Sequence, residues 1–152
     1  MLKKIFFIII SLNLLTHCDY TPVYSKQNKV NYKIVIKSFS GDKDINNLIA
    51  TNLKRTSKKE SDEIINIIFN TQYKKNVLAK NSAGTITDYQ TDVVTTFVIE
   101  KDNDSESFSV NEKFNFKKMT DKYEEKNYER NIKKNLANSI SEKLILRLAV
   151  IK

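Results

Sequence analysis

Cysteine and histidine are almost absent from this sequence, and each occurs only once in 152 residues. Both lie near the start, at His17 and Cys18. A single cysteine has no partner for an intramolecular disulfide, and the chain beyond it offers no thiol for a metal site or a nucleophile. Histidine is the commonest general base and metal ligand near neutral pH. We therefore predict that this protein is not an enzyme and that it holds no metal or dissociable cofactor.

Glycine and proline are also scarce, with two glycines and one proline in the whole chain. No glycine-rich phosphate loop, nucleophile elbow or metal-ligand spacing can be found. Adjacent carboxylates such as Glu124 and Glu125 have lysine neighbours, which is typical of a solvated helix start rather than of a catalytic dyad. These absences strengthen the prediction of a non-catalytic protein.

The first 17 residues have the order of a secretory signal peptide. Lys3 and Lys4 precede an apolar run over residues 5–15, which Ser11 and Asn13 interrupt. A transmembrane helix needs about 20 apolar residues, so this run is too short for a comfortable permanent span. We predict that residues 1–17 are removed, that 18–29 form an N-terminal tether, and that 30–152 form one domain.

The chain carries a formal charge of +8, of which Lys3 and Lys4 contribute two. A basic surface concentrates anionic partners such as acidic lipid head groups, phosphorylated glycolipids or nucleic acid. An exported protein rarely meets nucleic acid, so we expect no nucleic-acid partner. A second explanation stays open, because AT-rich coding DNA by itself enriches a protein in lysine, asparagine and isoleucine.

Hydrophobic periodicity predicts an α+β fold. Four segments alternate with period two and indicate strands, and two segments have apolar residues at helical spacing. Their order, β-α-β-β-β-α, predicts a single mixed/antiparallel four-stranded sheet with two helices packed on one face. The predicted strands cover 30–39, 64–69 with an extension toward 79, about 89–99, and 108–117; the predicted helices cover 45–53 and 123–148.

Aromatic residues alternate in the last predicted strand. Phe108, Val110, Phe114 and Phe116 face one side, while the residues between them are polar. This pattern is typical of a half-buried antiparallel strand, so we assign the four to the core. The alternative is that these rings and Phe97 form a lipid-binding stripe, but period two favours the core.

The segment around Cys18 resembles two known N-terminal motifs. Residues 15–18, Leu-Thr-His-Cys, are similar to the lipobox of bacterial lipoproteins, although His17 stands where a small residue is usual. Residues 18–24 resemble the start of the LPS-assembly lipoprotein family, LptE, with Asp19 in place of the usual glycine. The matching positions are Cys18, Tyr20, Pro22, Val23 and Tyr24. The alternative for Cys18 is an unmodified thiol after an ordinary signal peptide or within an uncleaved anchor.

The resemblance implies a lipid-anchored protein of the cell outer membrane, on its periplasmic face. Cys18 would carry an N-acyl group and S-diacylglycerol, and two or more chains hold a protein stably on a membrane. The implied partners are an LptD-like β-barrel, which the chain would plug and help to assemble, and lipopolysaccharide, which the complex inserts into the outer leaflet. Two other hypotheses stay open: a periplasmic lipoprotein that binds a lipid or small ligand for an envelope transporter, and a structural or inhibitory envelope lipoprotein.

Five basic clusters are candidates for contact with the phosphates of lipid A. We favour Lys74 with Lys75 and Lys117 with Lys118, because strand ends are expected to place both pairs at one rim of the sheet. The alternative for any one cluster is a solvated face without a partner. The others are Lys54 with Arg55, Lys58 with Lys59, and Lys133 with Lys134.

Overall fold

The structure, a computed structural model, describes residues 30–150. Its elements follow in the order β-α-β-β-β-α, which confirms the predicted α+β class and topology. The predicted signal peptide over 1–17 and the tether over 18–29 lie outside the described residues. The elements are β1 (Lys33–Gly41), α1 (Lys43–Thr56), β2 (Ile64–Lys80), β3 (Ile86–Lys101), β4 (Asp104–Lys117) and α2 (Lys122–Leu148).

The four strands form one sheet in the order β1-β2-β3-β4. β1 is parallel to β2, because α1 connects them, and the later strands pair antiparallel through hairpins. The turn between β3 and β4 is tight, since Lys101 already pairs with Asp104. Asp102 makes this turn with a positive φ of 53°, a conformation that aspartate tolerates better than most residues do.

Gly41 ends β1 at a close approach to β2. Its φ is +96°, and a Cβ at this position would lie 1.9 Å from the carbonyl oxygen of Thr71. The next residue, Asp42, donates its backbone N–H to the same carbonyl and accepts the N–H of Ile45 with its side chain, which makes it the N-cap of α1. Glycine is therefore required where the chain leaves the sheet for α1.

The hydrophobic core lies between one face of the sheet and the two helices. Phe39, Phe69, Phe97 and Phe108 stack across all four strands with ring centroids 5.4 to 5.6 Å apart. The helices cover this face with apolar side chains at helical spacing. The helix residues buried in the core cluster are Ile45, Ile49, Leu53, Ile132, Leu136, Ala137, Ile140, Leu144, Ile145 and Leu148.

One predicted core residue is not buried. Val110 and Phe116 are in the core and Phe108 packs against it, but Phe114 is 38% exposed. Phe114 pairs with Thr91, which pairs with Lys75, so this row of the sheet faces polar groups rather than the apolar stripe of a helix. Phe114 also stands on β4, an edge strand, where no further strand covers it.

The long helix α2 packs in two different ways along its length. From Ile132 to Leu148 every fourth residue is buried, as the sequence predicts. Before Ile132 the side chains that face the sheet are polar or aromatic, and Tyr128 is partly exposed with its ring 6.0 Å from that of Phe116. In the part of the chain that the structure describes, no helix is long and apolar enough to cross a membrane.

Candidate functional site

A groove opens where the far end of the sheet meets the start of α2. It has a volume of about 840 Å³, and we call it the rim groove. One wall is formed by the start of β3 and the end of β4, and the other wall by the first turns of α2. Its lining residues are Thr85, Ile86, Thr87, Tyr89, Lys117, Lys118, Met119, Thr120, Lys122, Glu125, Lys126 and Glu129.

Two of the four lysines predicted from sequence line this groove. Lys117 is the last residue of β4, and Lys118 follows it and donates its backbone N–H to the carbonyl of Thr87 at 2.8 Å. This bond holds the chain beside β3 as it turns toward α2. Asp121 then caps α2 by accepting the N–H groups of Tyr123 and Glu124, which orients the first helical turn over the groove.

The other predicted pair, Lys74 and Lys75, does not stand at a strand end. β2 continues to Lys80, so both residues lie inside the strand, and alternation sends their side chains to opposite faces. Lys74 is on the face that no helix covers. Lys75 is on the helix side, where it reaches two carboxylates of the rim groove. The expectation that both pairs share one rim was therefore wrong for Lys74.

Lys75 is the centre of a polar network beneath α2. Its ammonium lies 3.0 Å from a carboxylate oxygen of Glu125 and 3.0 Å from one of Glu129. The same nitrogen lies 4.3 Å from the centre of the Tyr89 ring, close enough for a cation–π contact. Glu125 also accepts the backbone N–H of Met119 at 3.0 Å, which fixes the loop before α2.

The network extends toward α1 through Tyr73. The Tyr73 hydroxyl donates to Glu129 at 2.6 Å, and the Lys133 ammonium lies 4.4 Å from the centre of the Tyr73 ring. Lys133 in turn bonds the Asp42 carboxylate at 2.7 Å. The first half of α2 is thus attached to the sheet and to α1 by charge-assisted hydrogen bonds, which are about twice as strong as neutral ones.

The network holds its groups in defined protonation states. Burial opposes the charge on Lys75, but hydrogen bonds to Glu125 and Glu129 outweigh it and raise the pKa of Lys75 above its ordinary value. Burial likewise opposes ionisation of the two glutamates, and the bonds they accept still lower the pKa of each carboxyl. Burial and the bond to Glu129 raise the pKa of Tyr73. Near neutral pH the Lys75 ammonium therefore lies between the two carboxylates of Glu125 and Glu129, with Tyr73 as a neutral phenol.

Two further lysines of the groove were missed by the sequence reasoning. Lys122 and Lys126 line its helix wall and belong to a series with Arg130 and Lys134 at a spacing of four residues. All four side chains are exposed, and none forms an ion pair with another described residue. We call these four residues the basic ridge. The regular spacing was visible in the sequence, whereas the clusters considered there were adjacent pairs only.

The composition of the rim groove suits an amphipathic anion. Lys117, Lys118 and Lys122 can donate hydrogen bonds to phosphate oxygens, and Ile86 and Met119 offer apolar contact beside them. Among residues 30–150 no cluster of side chains suited to a metal ion is found. Glu125 and Glu129 are already occupied by Lys75, so they leave the lysines of the wall free to meet an incoming anion.

Comparison with known proteins gives a likeness of fold. No protein-family model matches the sequence, and no curated protein matches it. Among solved structures, rare lipoprotein B from Shewanella oneidensis superposes with a TM-score of 0.52 at 11% identity, over 74% of this chain and 92% of that one. A minor lipoprotein from Acinetobacter baumannii gives a TM-score of 0.45 at 13% identity, over 73% and 94%. The likeness to rare lipoprotein B shows that this chain has the fold of a bacterial lipoprotein of known structure.

Proposed function

We propose that this protein is a lipoprotein of the outer membrane that plugs an LptD-like β-barrel, assists its assembly, and takes part in the insertion of lipopolysaccharide into the outer leaflet. Cys18 would carry the lipid anchor on the periplasmic side. The role is one of binding and gating, without a bond made or broken. Support comes from the motif at residues 18–24, from the fold likeness to rare lipoprotein B, and from two surfaces of the structure.

The observation that carries the proposal is the largely polar outer face of the sheet, on which apolar side chains such as Ile68 and Val98 are a minority. On the face that no helix covers, side chains bond across neighbouring strands instead of packing against an apolar layer. The interior of a large β-barrel is polar and water-filled, so a plug needs such a surface. The pairs are Asn76 with Asp92 at 2.9 Å, Gln90 with Asn115 at 2.8 Å, and Thr96 with Ser109 at 2.8 Å.

The rim groove is the proposed contact for lipopolysaccharide. Its lysines would bind the phosphates of lipid A, and Ile86 and Met119 would contact acyl carbons. Lys117 and Lys118 remain in the proposed site, and Lys122 and Lys126 join them. Lys75 serves the site indirectly by holding Glu125 and Glu129, and Lys74 has no place in it because it lies on the other face.

Depletion of the protein in its own cells tests the role. We expect the LptD-like barrel to lose its folded form and lipopolysaccharide to fall at the cell surface. Wild-type protein supplied in trans should restore both, and the double variant Lys118→Ala with Lys122→Ala should restore barrel folding better than lipopolysaccharide export. A folded barrel and unchanged surface lipopolysaccharide after depletion would overturn the proposal.

A second function is favoured by the same groove. A volume of about 840 Å³ with clustered lysines is within the range of small-ligand sites. A periplasmic lipoprotein that hands a lipid or small ligand to an envelope transporter would use it equally well. The two functions differ in their partner, because only the first requires a β-barrel to co-purify with the chain.

A further inference from the structure

The second half of β2 has an open edge. β1 pairs with β2 only as far as Thr71, because Gly41 turns the chain away into α1. From Gln72 to Lys80 the strand has β3 on one side, and along the described chain no backbone hydrogen bond reaches its other side. This leaves a row of unpaired donors and acceptors, which is a template for the addition of another strand.

The backbone groups that face this opening can be assigned. The Thr71 carbonyl points toward β1, because it accepts the N–H of Asp42 at 2.9 Å. Backbone direction alternates along a strand, so residues two and four positions further on present their N–H and C=O groups to the same edge. These are Tyr73 and Lys75, followed by Val77 just before a bulge in the pairing with β3. Three successive outward-facing residues are enough to pair with a short strand.

A basic groove runs beside this edge. It has a volume of about 260 Å³ and is lined by Asp44, Lys126, Glu129, Arg130 and Lys133. Glu129 bonds the Tyr73 hydroxyl, which places the groove against β2. Of its charged residues, Glu129, Lys133 and Asp44 are occupied by ion pairs within the chain.

Lys126 and Arg130 form no ion pair with any described residue, although they lie four residues apart on one helix. Like charges at this spacing destabilise a helix. Neighbours in the basic ridge at Lys122 and Lys134 add two more such pairs. On the opposite face of β2, Lys74 is exposed and also lacks an ion pair among the described residues. The open edge therefore has unpaired positive charge on both sides.

We propose that the β2 edge at Tyr73, Lys75 and Val77 is a strand-addition site for an extended, acidic segment of a partner protein. Backbone pairing supplies the affinity in this mode of recognition, and alternate side chains supply the specificity. Carboxylates on one face of the added strand would meet Lys126 and Arg130, and those on the other face would meet Lys74. A phosphorylated glycolipid could neutralise these cations, but it has no regular row of N–H and C=O groups to pair with the strand.

The test uses the full chain in detergent and a synthetic twelve-residue peptide of alternating glutamate and valine. Amide hydrogen exchange is measured with and without the peptide. We expect the peptide to slow exchange at Tyr73, Lys75 and Val77 and to leave the β4 edge unchanged. A peptide with the same sequence but N-methylated at every residue should not bind, because it has no backbone donor on either edge. Equal binding of both peptides would overturn strand addition.

Charge reversal tests the electrostatic contribution of Lys126 and Arg130 to peptide binding. Lys126→Glu with Arg130→Glu should weaken peptide binding about tenfold, which corresponds to the loss of two exposed ion pairs. The matched control, Lys54→Glu with Arg55→Glu, makes the same change on an exposed part of α1 and should leave affinity within about twofold. Val77→Pro, which removes one outward N–H without touching the pairing to β3, should weaken binding further, and Val77→Thr should not.

Other occupants give distinct results, and each would overturn the proposal. Residues 1–29 would be the cover of the edge if, without peptide and at low protein concentration, amide hydrogen exchange were already slow at Tyr73, Lys75 and Val77. Protection that grows with protein concentration would indicate a second copy. Protection of the same amides by lipopolysaccharide without peptide would indicate a glycolipid site.

Discussion

Substitution of Lys75 by methionine should destabilise the fold by about 2 kcal/mol at neutral pH, because it leaves Glu125 and Glu129 without their cation. Exposed ion pairs contribute about 0–1 kcal/mol, whereas removal of one partner from a buried pair costs about 3–5 kcal/mol. The three side chains are 24%, 17% and 23% exposed, which places this network between the two cases. Methionine keeps the apolar stem of the side chain but lacks the ammonium, so the cation–π contact with Tyr89 is lost together with the two ion pairs.

The effect of Lys75→Met should depend on pH in a defined direction. The pKa values of Glu125 and Glu129 are lowered in the folded state, so their contribution to stability is complete above their unfolded pKa and is lost as pH falls through the folded value. The pKa of Lys75 is raised, so its contribution is complete below its unfolded pKa and is lost only at high pH. The difference between variant and wild type should therefore shrink below about pH 4.

The assay is guanidinium unfolding of the full chain in detergent, followed by circular dichroism at pH 7 and at pH 3. Lys74→Met is the matched control, since it removes the adjacent lysine from the uncovered face and should change stability by less than about 0.5 kcal/mol. Equal stability of the two variants at pH 7, or the same loss of stability in Lys75→Met at both pH values, would show that Lys75 does not stabilise the fold through Glu125 and Glu129.

Three further predictions concern the core, the glycines and the anchor. Leu144→Ala, in the fully buried stripe of α2, should lower the free energy of unfolding in urea by about 2–5 kcal/mol. Leu146→Ala on the same helix, where the side chain is 61% exposed, should lower it by less than about 0.5 kcal/mol. Equal losses would contradict the assigned helix face. Gly41→Ala should lower the free energy of unfolding by more than about 3 kcal/mol, because the new Cβ meets the Thr71 carbonyl. Gly84→Ala, where φ is positive but the space around the residue is open, should lower it by about 1 kcal/mol in the same assay. A small loss at Gly41 would show that the strand can shift. Mass spectrometry of the protein from its own membranes should find Cys18 as an acylated first residue, and an unmodified or internal Cys18 would remove the proposed anchor.

The sequence predicts the fold well because apolar periodicity is the direct cause of the core. The alternation in β2 and β3 and the four-residue stripe of α2 both mark residues that the structure buries. Strand ends are harder to predict, because they depend on pairing. β2 continues past Tyr73 because β3 supplies a partner for every following residue except Leu78. The sequence suggested an extension toward residue 79, but it did not fix the strand end, and Lys74 and Lys75 were therefore expected at a rim.

The candidate site was predicted only in part, for a related reason. Lys117 and Lys118 follow a clear alternating strand, so their place at its end could be expected. The role of Lys75 depends on Glu125 and Glu129, which lie about fifty residues away and reach it only when α2 folds back over the sheet. Phe114 was assigned to the core because alternation cannot show that its row of the sheet contains Lys75 and Thr91.

The identity of the partner is the most direct test of the proposed plug. A photo-reactive amino acid is placed at Gln72 or Asn111 on the outer sheet face, and at Leu146 as a control on α2, and the full chain is cross-linked in its own cells. We expect Gln72 and Asn111 to cross-link to an LptD-like β-barrel and Leu146 to do so less. Cross-links from the outer face to a transporter of the inner membrane, with none to a barrel, would contradict the proposed plug.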